Sequence, residues 1–256
     1  MKKFMKGLLA TTMVFAMMTS LVGCGGGSEA EAPADETGTL VMATNAAFPP
    51  YEYYEGEEIV GIDAEIAALI ADELGMELRI ESIEFGSIVA GVQTGKFDFG
   101  MAGMTVNEER LLSVDFSTSY AKGVQVVIVK ENSGIATLDD LTGKLIGVQE
   151  ATTGDIYSTD DFGEENVKRY TNGAAAVAAL QSGIVDAVII DNEPAKAFVA
   201  ANDGLAILET AYAEEDYAIA VAKGNTELLG KINGALAELT ADGSIQAIVD
   251  KYIPAE

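Results

Sequence analysis

The stretch AALQSGIVDAVIID, residues 178–191, carries the clearest indication of the fold. It has the pattern of a helix end, a glycine C-cap at Gly183, a tight turn with Asp186 and an apolar strand that ends at Asp191. AGVQTGKFDF, residues 90–99, has the same order of features. Such junctions recur by local chemistry in any α/β protein. The repeat therefore supports two similarly built lobes only in combination with the rest of the chain.

Short β-rich runs alternate with amphipathic helices from Thr39 onward. This alternation predicts mostly parallel α/β sheets. Strands are predicted over residues 40–44 and 145–149, and a helix over residues 63–74. The strand of the first repeat is predicted to continue through residues 100–104. Ligands collect at the carboxyl ends of strands in such sheets, so we expect a site there.

Three polar segments follow predicted strands. Thr105 and Glu108 predict a capping box that opens a helix containing Arg110, although this arginine could instead pair with a neighbouring glutamate on a surface helix. The small-residue turn at residues 152–155 predicts a second helix start, and simple N-capping is its alternative role. Asp191 could be a ligand-binding carboxylate or a helix cap. An arginine and helix-start N–H groups suit a carboxylate, and an aspartate suits an ammonium.

Composition excludes several classes of function. The 256-residue chain has a net charge of −26, which argues against binding to nucleic acid. It contains no histidine and one cysteine, so Ser-His-Asp and Cys-His triads, Cys/His zinc sites and internal disulfides are absent. Carboxylate, lysine, serine or tyrosine chemistry is still conceivable. We expect no cofactor and no metal.

The N-terminal segment has the layout of a secretory signal. Three lysines precede an apolar run over residues 8–22. The sequence LVGC, residues 21–24, closes this segment and looks like a bacterial lipobox. We predict a lipoprotein signal peptide over residues 1–23, lipidation of Cys24 and a flexible acidic, glycine-rich linker over residues 24–38. An ordinary signal peptide with an incidental cysteine is the alternative.

Six motifs, in order, resemble those of the polar amino-acid-binding proteins of ABC importers, bacterial solute-binding protein family 3, over about residues 39–252. They are ATNAAFPPYEY (43–53), VGID (60–63), GMTVNEER (103–110), VDFS (114–117), GVQEATTG (147–154) and VDAVIID (185–191). The resemblance implies a type II periplasmic-binding-protein fold, with two three-layer α/β lobes joined by a two-stranded hinge.

The same resemblance implies boundaries for the lobes. Lobe 1 would hold residues 39–121 and 220–256, and lobe 2 residues 126–215. The hinge crossings would lie at residues 122–125 and 216–218.

By resemblance, Arg110 clamps the carboxylate of a free amino acid, aided by the N–H groups of Thr105 and Thr153. Asp191, the Gly103 carbonyl and the Thr105 hydroxyl would hold the ammonium. The full predicted set of ligand-binding residues is Asn45, Phe48, Phe85, Ala102, Gly103, Thr105, Arg110, Gln149, Thr152, Thr153 and Asp191.

Two aromatic residues of this set would stack on the ligand side chain. Phe48 lies in a proline-flanked loop and Phe85 just after a predicted strand. Either could instead belong to the core.

Departures from the family pattern bear on the ligand. Asn45 stands where many binders of basic amino acids carry an aspartate, and Gln149 adds a neutral amide, so a polar uncharged ligand such as glutamine is favoured. Glu84 and Glu150 could face the pocket and restore negative charge, which leaves arginine or histidine open. Ala151 replaces a more usual glycine.

The predicted function is capture of a free amino acid on the outer side of the cytoplasmic membrane by a lipid-anchored monomer, and delivery to the permease of an ABC importer. The same fold also resembles periplasmic cyclohexadienyl or arogenate dehydratases, in which a pocket carboxylate such as Glu84 or Glu150 would do acid–base work. A receptor subunit that reports to a sensor is a third possibility.

Overall fold

The computed structural model describes residues 38–254. The predicted signal peptide, Cys24 and nearly all of the linker lie outside the described residues. Its strands are β1 (Thr39–Thr44), β2 (Ala47–Phe48), β3 (Glu52–Glu55), β4 (Glu58–Val60), β5 (Glu77–Ser82), β6 (Phe99–Gly100), β7 (Val114–Phe116), β8 (Ala121–Lys130), β9 (Ile146–Gln149), β10 (Val167–Tyr170), β11 (Ala187–Asp191), β12 (Leu205–Ile207), β13 (Ala213–Tyr217) and β14 (Ala220–Ala222).

The helices are α1 (Ile62–Glu73), α2 (Ile88–Gln93), α3 (Glu108–Leu111), α4 (Thr153–Phe162), α5 (Gly173–Gln181), α6 (Asn192–Ala201), α7 (Thr226–Ala241) and α8 (Ser244–Tyr252). Short 3₁₀ turns lie at Phe85–Ser87, Leu138–Leu141 and Glu164–Asn166. In the part of the chain that the structure describes, no helix combines the length and apolar character needed to cross a membrane.

Two sheets organise the chain. The first sheet has the order β5-β1-β6-β14-β7, the second has the order β10-β9-β11-β8-β12 with β13 also paired to β8, and β2, β3 and β4 form a small third sheet. The prediction of mostly parallel sheets is wrong, because β14 and the long β8 run antiparallel to all their partners. A buried apolar run has the same side-chain pattern in either direction, so the sequence pattern could not reveal this.

Each large sheet lies between two layers of helices. Leu40 and Met42 share a buried cluster with apolar residues of α1, α7 and α8, whereas Ala43 packs with residues of α2. In the second sheet, Val188 clusters with residues of α5, while Ile189 lies in a separate cluster that Phe162 of α4 covers. Successive side chains of a strand point to opposite faces, which accounts for this division. The prediction of a two-lobed α/β fold is confirmed.

The repeated motif performs the same structural task in both sheets. The glycines after α2 and α5 have positive φ angles of 72° and 73°, as their C-cap role requires. Asp98 accepts the N–H of Val41 at 2.7 Å, and Asp186 accepts the N–H of Leu145 at 2.9 Å. Each aspartate therefore ties the turn of its own motif to the start of the neighbouring parallel strand. Asp98 bonds within β1, and Asp186 bonds to the residue just before β9.

The two large sheets are connected by paired strands. The first sheet takes its strands from residues 39–116 and 220–222, and the second from residues 121–217. The segments predicted to cross between the lobes lie on β8 and at the end of β13, which pair antiparallel. Their action as a hinge, and the lobe boundaries themselves, stay predictions.

Candidate functional site

The ends of β1, β6, β9 and β11 converge on one cleft. Its lining comprises Asn45, Phe48, Glu52, Phe85, Ala102, Gly103, Thr105, Arg110, Gln149, Thr152, Thr153 and Asp191. Every residue of the predicted ligand-binding set is present, and Glu52 is an addition. Their roles toward a ligand stay predictions. In residues 38–254, no group of three or more Asp, Glu, Cys or His side chains could hold a metal ion.

The local sequence positions Arg110 by a different cap from the one predicted. Asn107 is the N-cap of α3, and its Oδ1 accepts the N–H of Arg110 at 2.8 Å. The predicted capping box of Thr105 and Glu108 is therefore wrong. Thr105 is instead held in a β-bridge with Tyr217, and asparagine is at least as good an N-cap as threonine. The strand predicted through residues 100–104 ends at Gly100, which leaves a loop that lines the cleft.

The Arg110 guanidinium is buried and lies between the two lobes, with only 8% of the residue exposed. Its Nη1 donates to the Thr105 carbonyl at 2.7 Å and its Nη2 to the Ala151 carbonyl at 3.1 Å. It also lies 5.2 Å from the ring centroid of Phe85. Burial lowers the pKa of Arg110, but a guanidinium keeps its charge in proteins. An arginine fixed in this way is suited to bidentate binding of a carboxylate.

The segment that follows β9 supplies further donors. Thr152 is the N-cap of α4 and accepts the N–H of Asp155 at 3.3 Å, as predicted for this helix start. Thr153 is the first helical residue, so its N–H lies outside the intrahelical hydrogen bonds. Ala151 has φ 65°, which explains why glycine is more usual there. Its N–H donates to Asp155 at 3.0 Å and its carbonyl accepts from Arg110, so both polar groups of this strained residue are bonded.

Asp191 lies at the end of β11 and is 8% exposed. Although it occupies the N-cap position of α6, its side chain makes no capping bond and instead accepts the hydroxyl of Tyr217. Desolvation and, next, the charge of Glu215 raise the pKa of Asp191 to about 7, and the bond from Tyr217 opposes the rise. This carboxylate would gain from a cationic group in the cleft, because such a group offsets the cost of its buried charge.

The Thr105 hydroxyl can act only as an acceptor toward the cleft. It donates to Oε2 of Glu215 at 3.0 Å, and the side-chain amide of Gln125 donates to the same oxygen at 3.0 Å. Because its hydrogen is committed to the buried Glu215, the Thr105 oxygen can offer only its lone pairs to the cleft. It is therefore an acceptor, which is what an ammonium group needs.

Gly103 and Glu52 complete the wall beside Phe48. Gly103 has φ 52°, and a Cβ atom there would lie 2.8 Å from the Phe48 ring. Its N–H donates to Oδ2 of Asp63 at 2.8 Å. Sequence reasoning missed Glu52, although it stands within the motif ATNAAFPPYEY, because it lies at the start of the short strand β3 and no spacing rule marks it. It is 1% exposed, and burial together with the charge of Asp63 raises the pKa of its carboxyl group well above the ordinary value.

A pair of neutral amides joins the two lobes across the cleft. Gln149 at the end of β9 donates to Oδ1 of Asn45 at 3.0 Å, and Nδ2 of Asn45 donates to the Ile83 carbonyl at 2.7 Å. Glu84 and Glu150, which could have added charge here, are exposed and do not line the cleft.

The two lobes and the buried charges between them define a two-lobed solute-binding protein. The family model of bacterial extracellular solute-binding proteins, family 3, matches residues 40–255, and the chain belongs to that family.

Relatives and solved structures agree with this assignment. The chain is 31% identical to the arginine-binding extracellular protein ArtP of Bacillus subtilis (strain 168), with 100% of both chains covered. It is 30% identical to the L-cystine-binding protein TcyJ of Escherichia coli (strain K12), over 86% of this chain and 85% of that one. An ancestral arginine-binding protein bound to glutamine has a similar structure, with a TM-score of 0.80, 39% identity and coverage of 85% of this chain and 98% of that one. These proteins are named for binding, and none of the three is named as an enzyme.

Replacing Gly103 with alanine should destabilise the protein more than the same change at Gly224. Both glycines have positive φ, but a Cβ at position 224 would meet no atom within 4 Å. We expect Gly103→Ala to lower the free energy of unfolding by about 1–3 kcal/mol beyond the loss in Gly224→Ala, because only its methyl group presses on the Phe48 ring. Denaturant unfolding of both variants measures the difference, and equal losses would show that Phe48 does not pack tightly on Gly103.

Proposed function

We propose that this protein captures a free polar amino acid between its two lobes, outside the cytoplasm, and delivers it to an ABC importer. The observation that carries the proposal is the placement of Arg110 and Asp191, two buried groups of opposite charge at separate elements of one cleft. An α-amino acid presents a carboxylate and an ammonium, and a buried site must pair both to avoid their desolvation cost.

The carboxylate would bind to Arg110 together with backbone donors. Arg110 has five N–H donors, of which two bond to chain carbonyls. The N–H of Thr153 lies at the start of α4, where the helix dipole also favours an anion. Together with the N–H of Thr105, these groups form a donor set on one side of the ligand.

The ammonium would bind to acceptors. Asp191 supplies the charge, the Gly103 carbonyl supplies a second oxygen, and the Thr105 hydroxyl supplies a third because its own hydrogen goes to Glu215. An ammonium has three hydrogens and no acceptor, so three such oxygens match it.

The rest of the lining favours a polar neutral side chain. Phe48 and Phe85 offer aromatic surface, and Asn45 and Gln149 offer amide groups. Of the amino acids we expect glutamine to bind best, and arginine and histidine belong in the same test. The named ligands of the relatives, arginine and cystine, and the glutamine in the similar solved structure support this range.

Binding without catalysis accounts for the cleft better than a dehydratase reaction. The acids considered for that reaction, Glu84 and Glu150, are exposed and do not line the cleft. The arrangement of Arg110 and Asp191 holds a zwitterion but activates none of its bonds. No observation favours the sensor alternative.

Ligand binding would stabilise the closed form. Two hydrogen bonds join the part of the chain that forms the first sheet to the part that forms the second. One runs from Arg110 to Ala151 and the other from Gln149 to Asn45. A ligand held by Arg110 from one lobe and Asp191 from the other adds to these bonds and shifts the equilibrium toward closure by its greater affinity for that form. The permease would recognise the closed protein.

We also propose that Cys24 carries the lipid that anchors the protein, as a monomer, to the outer face of the cytoplasmic membrane. The LVGC sequence and the absence of any other cysteine support this assignment.

Removing either buried charge should abolish high-affinity binding. We expect Arg110→Ala and Asp191→Ala each to weaken binding of the best amino acid by about 2–5 kcal/mol, roughly 30-fold or more, because each leaves one ligand charge unpaired. Calorimetric titration with glutamine, arginine, histidine and cystine measures this.

Matched controls are Arg79→Ala and Asp250→Ala, whose side chains lie outside the cleft and bond to Glu81 and Gln246. They should bind like the wild type. Failure of the wild type to bind any amino acid would refute the proposed function, and unchanged affinity in either cleft variant would refute the assigned site.

Binding should weaken in acid. The pKa of Asp191 is about 7 in the unliganded protein, and a ligand ammonium would lower it. Protonated Asp191 must then release its proton on binding, so affinity should be about tenfold lower at about pH 6 than at about pH 8. In Asp191→Asn the profile should be flatter, and a wild-type affinity that does not change over this range would contradict the role of Asp191.

Lipid attachment should depend on Cys24. When the full chain is expressed in a bacterial host fed an alkyne-tagged fatty acid, the wild type should incorporate the tag and Cys24→Ala should not. Ser28→Ala should keep the tag, since Ser28 follows the lipidation site without taking part in it. A wild-type protein without the tag would contradict the anchor.

A further inference from the structure

Two buried carboxyl groups lie in and behind one wall of the cleft, Glu52 in the lining and Asp63 behind it, and the proposed binding of an amino acid uses neither as a ligand. Glu52 begins β3 and is 1% exposed, and Asp63 lies in the first turn of α1 and is fully buried. The two acids interact electrostatically, because the charge of Asp63 is, after burial, the next cause that raises the pKa of Glu52. No lysine or arginine of residues 38–254 forms an ion pair with either of them.

The oxygen atoms show where a hydrogen is missing. Oδ2 of Asp63 accepts the N–H of Gly103 at 2.8 Å and the hydroxyl of Tyr120 at 2.9 Å. Oδ1 of Asp63 and Oε2 of Glu52 are both buried and have no N–H or O–H donor among the described residues. Two ionised carboxylates can only accept hydrogen bonds, so one retained hydrogen is needed to give these two oxygens a partner in each other.

The surroundings decide which carboxyl keeps that hydrogen. Burial raises the pKa of Asp63, and the two donors that hold its charged form limit the rise to about 6. Burial and the charges of Asp63 and Asp191 raise the pKa of Glu52 well above its ordinary value. The other titratable groups facing the pair, Tyr51 and Tyr120, have raised pKa values and stay neutral. Glu52 is therefore the donor and Asp63 the acceptor.

We propose that Glu52 and Asp63 share one proton, and that this acid pair holds Gly103 in place as a wall of the amino-acid cleft. The pair fixes Asp63, and Asp63 fixes the N–H of Gly103, whose carbonyl would accept the ligand ammonium. Glu52 and Asp63 are thus positioning residues. The part of this proposal that concerns the ligand rests on the proposed function, whereas the shared proton does not.

The shared proton can be detected without any ligand. Infrared spectra of the unliganded protein at about pH 8 should contain the carbonyl band of a protonated carboxylic acid, because folding holds the pKa of Glu52 far above that of a free glutamate. Glu52→Gln keeps a donor toward Asp63 but has no acid, so the band should lose most of its intensity, because Asp191, with a pKa of about 7, is largely ionised at this pH. Glu65→Gln changes a surface glutamate that is paired with Lys251 and should leave the band unchanged. A band of undiminished intensity in Glu52→Gln would overturn the proposal.

The pH dependence of unfolding gives a second, independent readout. An acid whose pKa is raised by folding binds more protons in the native state, so stability is greatest at low pH and falls as pH rises toward the folded pKa. The wild type should release one more proton on unfolding than Glu52→Gln between about pH 6 and pH 8. Its unfolding equilibrium constant should therefore increase more steeply with pH, by an additional factor of up to about ten per pH unit. Identical slopes would overturn the shared proton.

Ligand titration then tests the positioning role. Glu52→Gln should bind the amino acid within about threefold of the wild type, whereas Glu52→Leu, which leaves Asp63 without this donor, should bind at least about tenfold more weakly. Equal affinity of both variants would overturn the support of Gly103. If the wild type binds no amino acid, the proposed function fails, but the infrared band and the unfolding slope still decide the shared proton.

Discussion

Burial of charge is the constraint on which the cleft depends. The carboxyl groups of Glu52, Asp63, Asp191 and Glu215 are all buried in or beside it, and Arg110 is the buried guanidinium that lines it. An unpaired charge in such surroundings costs several kcal/mol, so each acid must find hydrogen-bond donors or keep a proton. The strand ends and helix starts around the cleft supply many of those donors.

The donors come largely from the strands that connect the two lobes. Tyr120, which bonds to Asp63, directly precedes β8, and Tyr217, which bonds to Asp191, ends β13. Gln125 of β8 bonds to Glu215 of β13. The polar network beneath the cleft and the paired strands that join the lobes are therefore one structure.

Much of this arrangement could be predicted from the sequence, because it follows from local patterns. Apolar alternation located the strands, glycine C-caps located the turns, and the motif order placed Arg110 and Asp191 at one site. Strand direction could not be predicted, because an apolar run is symmetric in sequence. The sequence pattern cannot decide between Thr105 and Asn107 as the cap of α3, since threonine and asparagine have similar capping ability and only tertiary pairing with Tyr217 distinguishes them. Glu52 could not be predicted, because it begins the short strand β3 and no spacing rule marks it.

The neutral bridge between Asn45 and Gln149 has a consequence for how this protein can diversify. An amide carries both a donor and an acceptor, so the bridge can form without adding net charge to the cleft. Exchange of Asn45 for aspartate would place a negative charge at the same point, but an ionised carboxylate has no donor for the Ile83 carbonyl. A substitution that alters ligand preference here therefore also weakens the link between the segments that follow β1 and β5, so the two properties cannot change independently at this position.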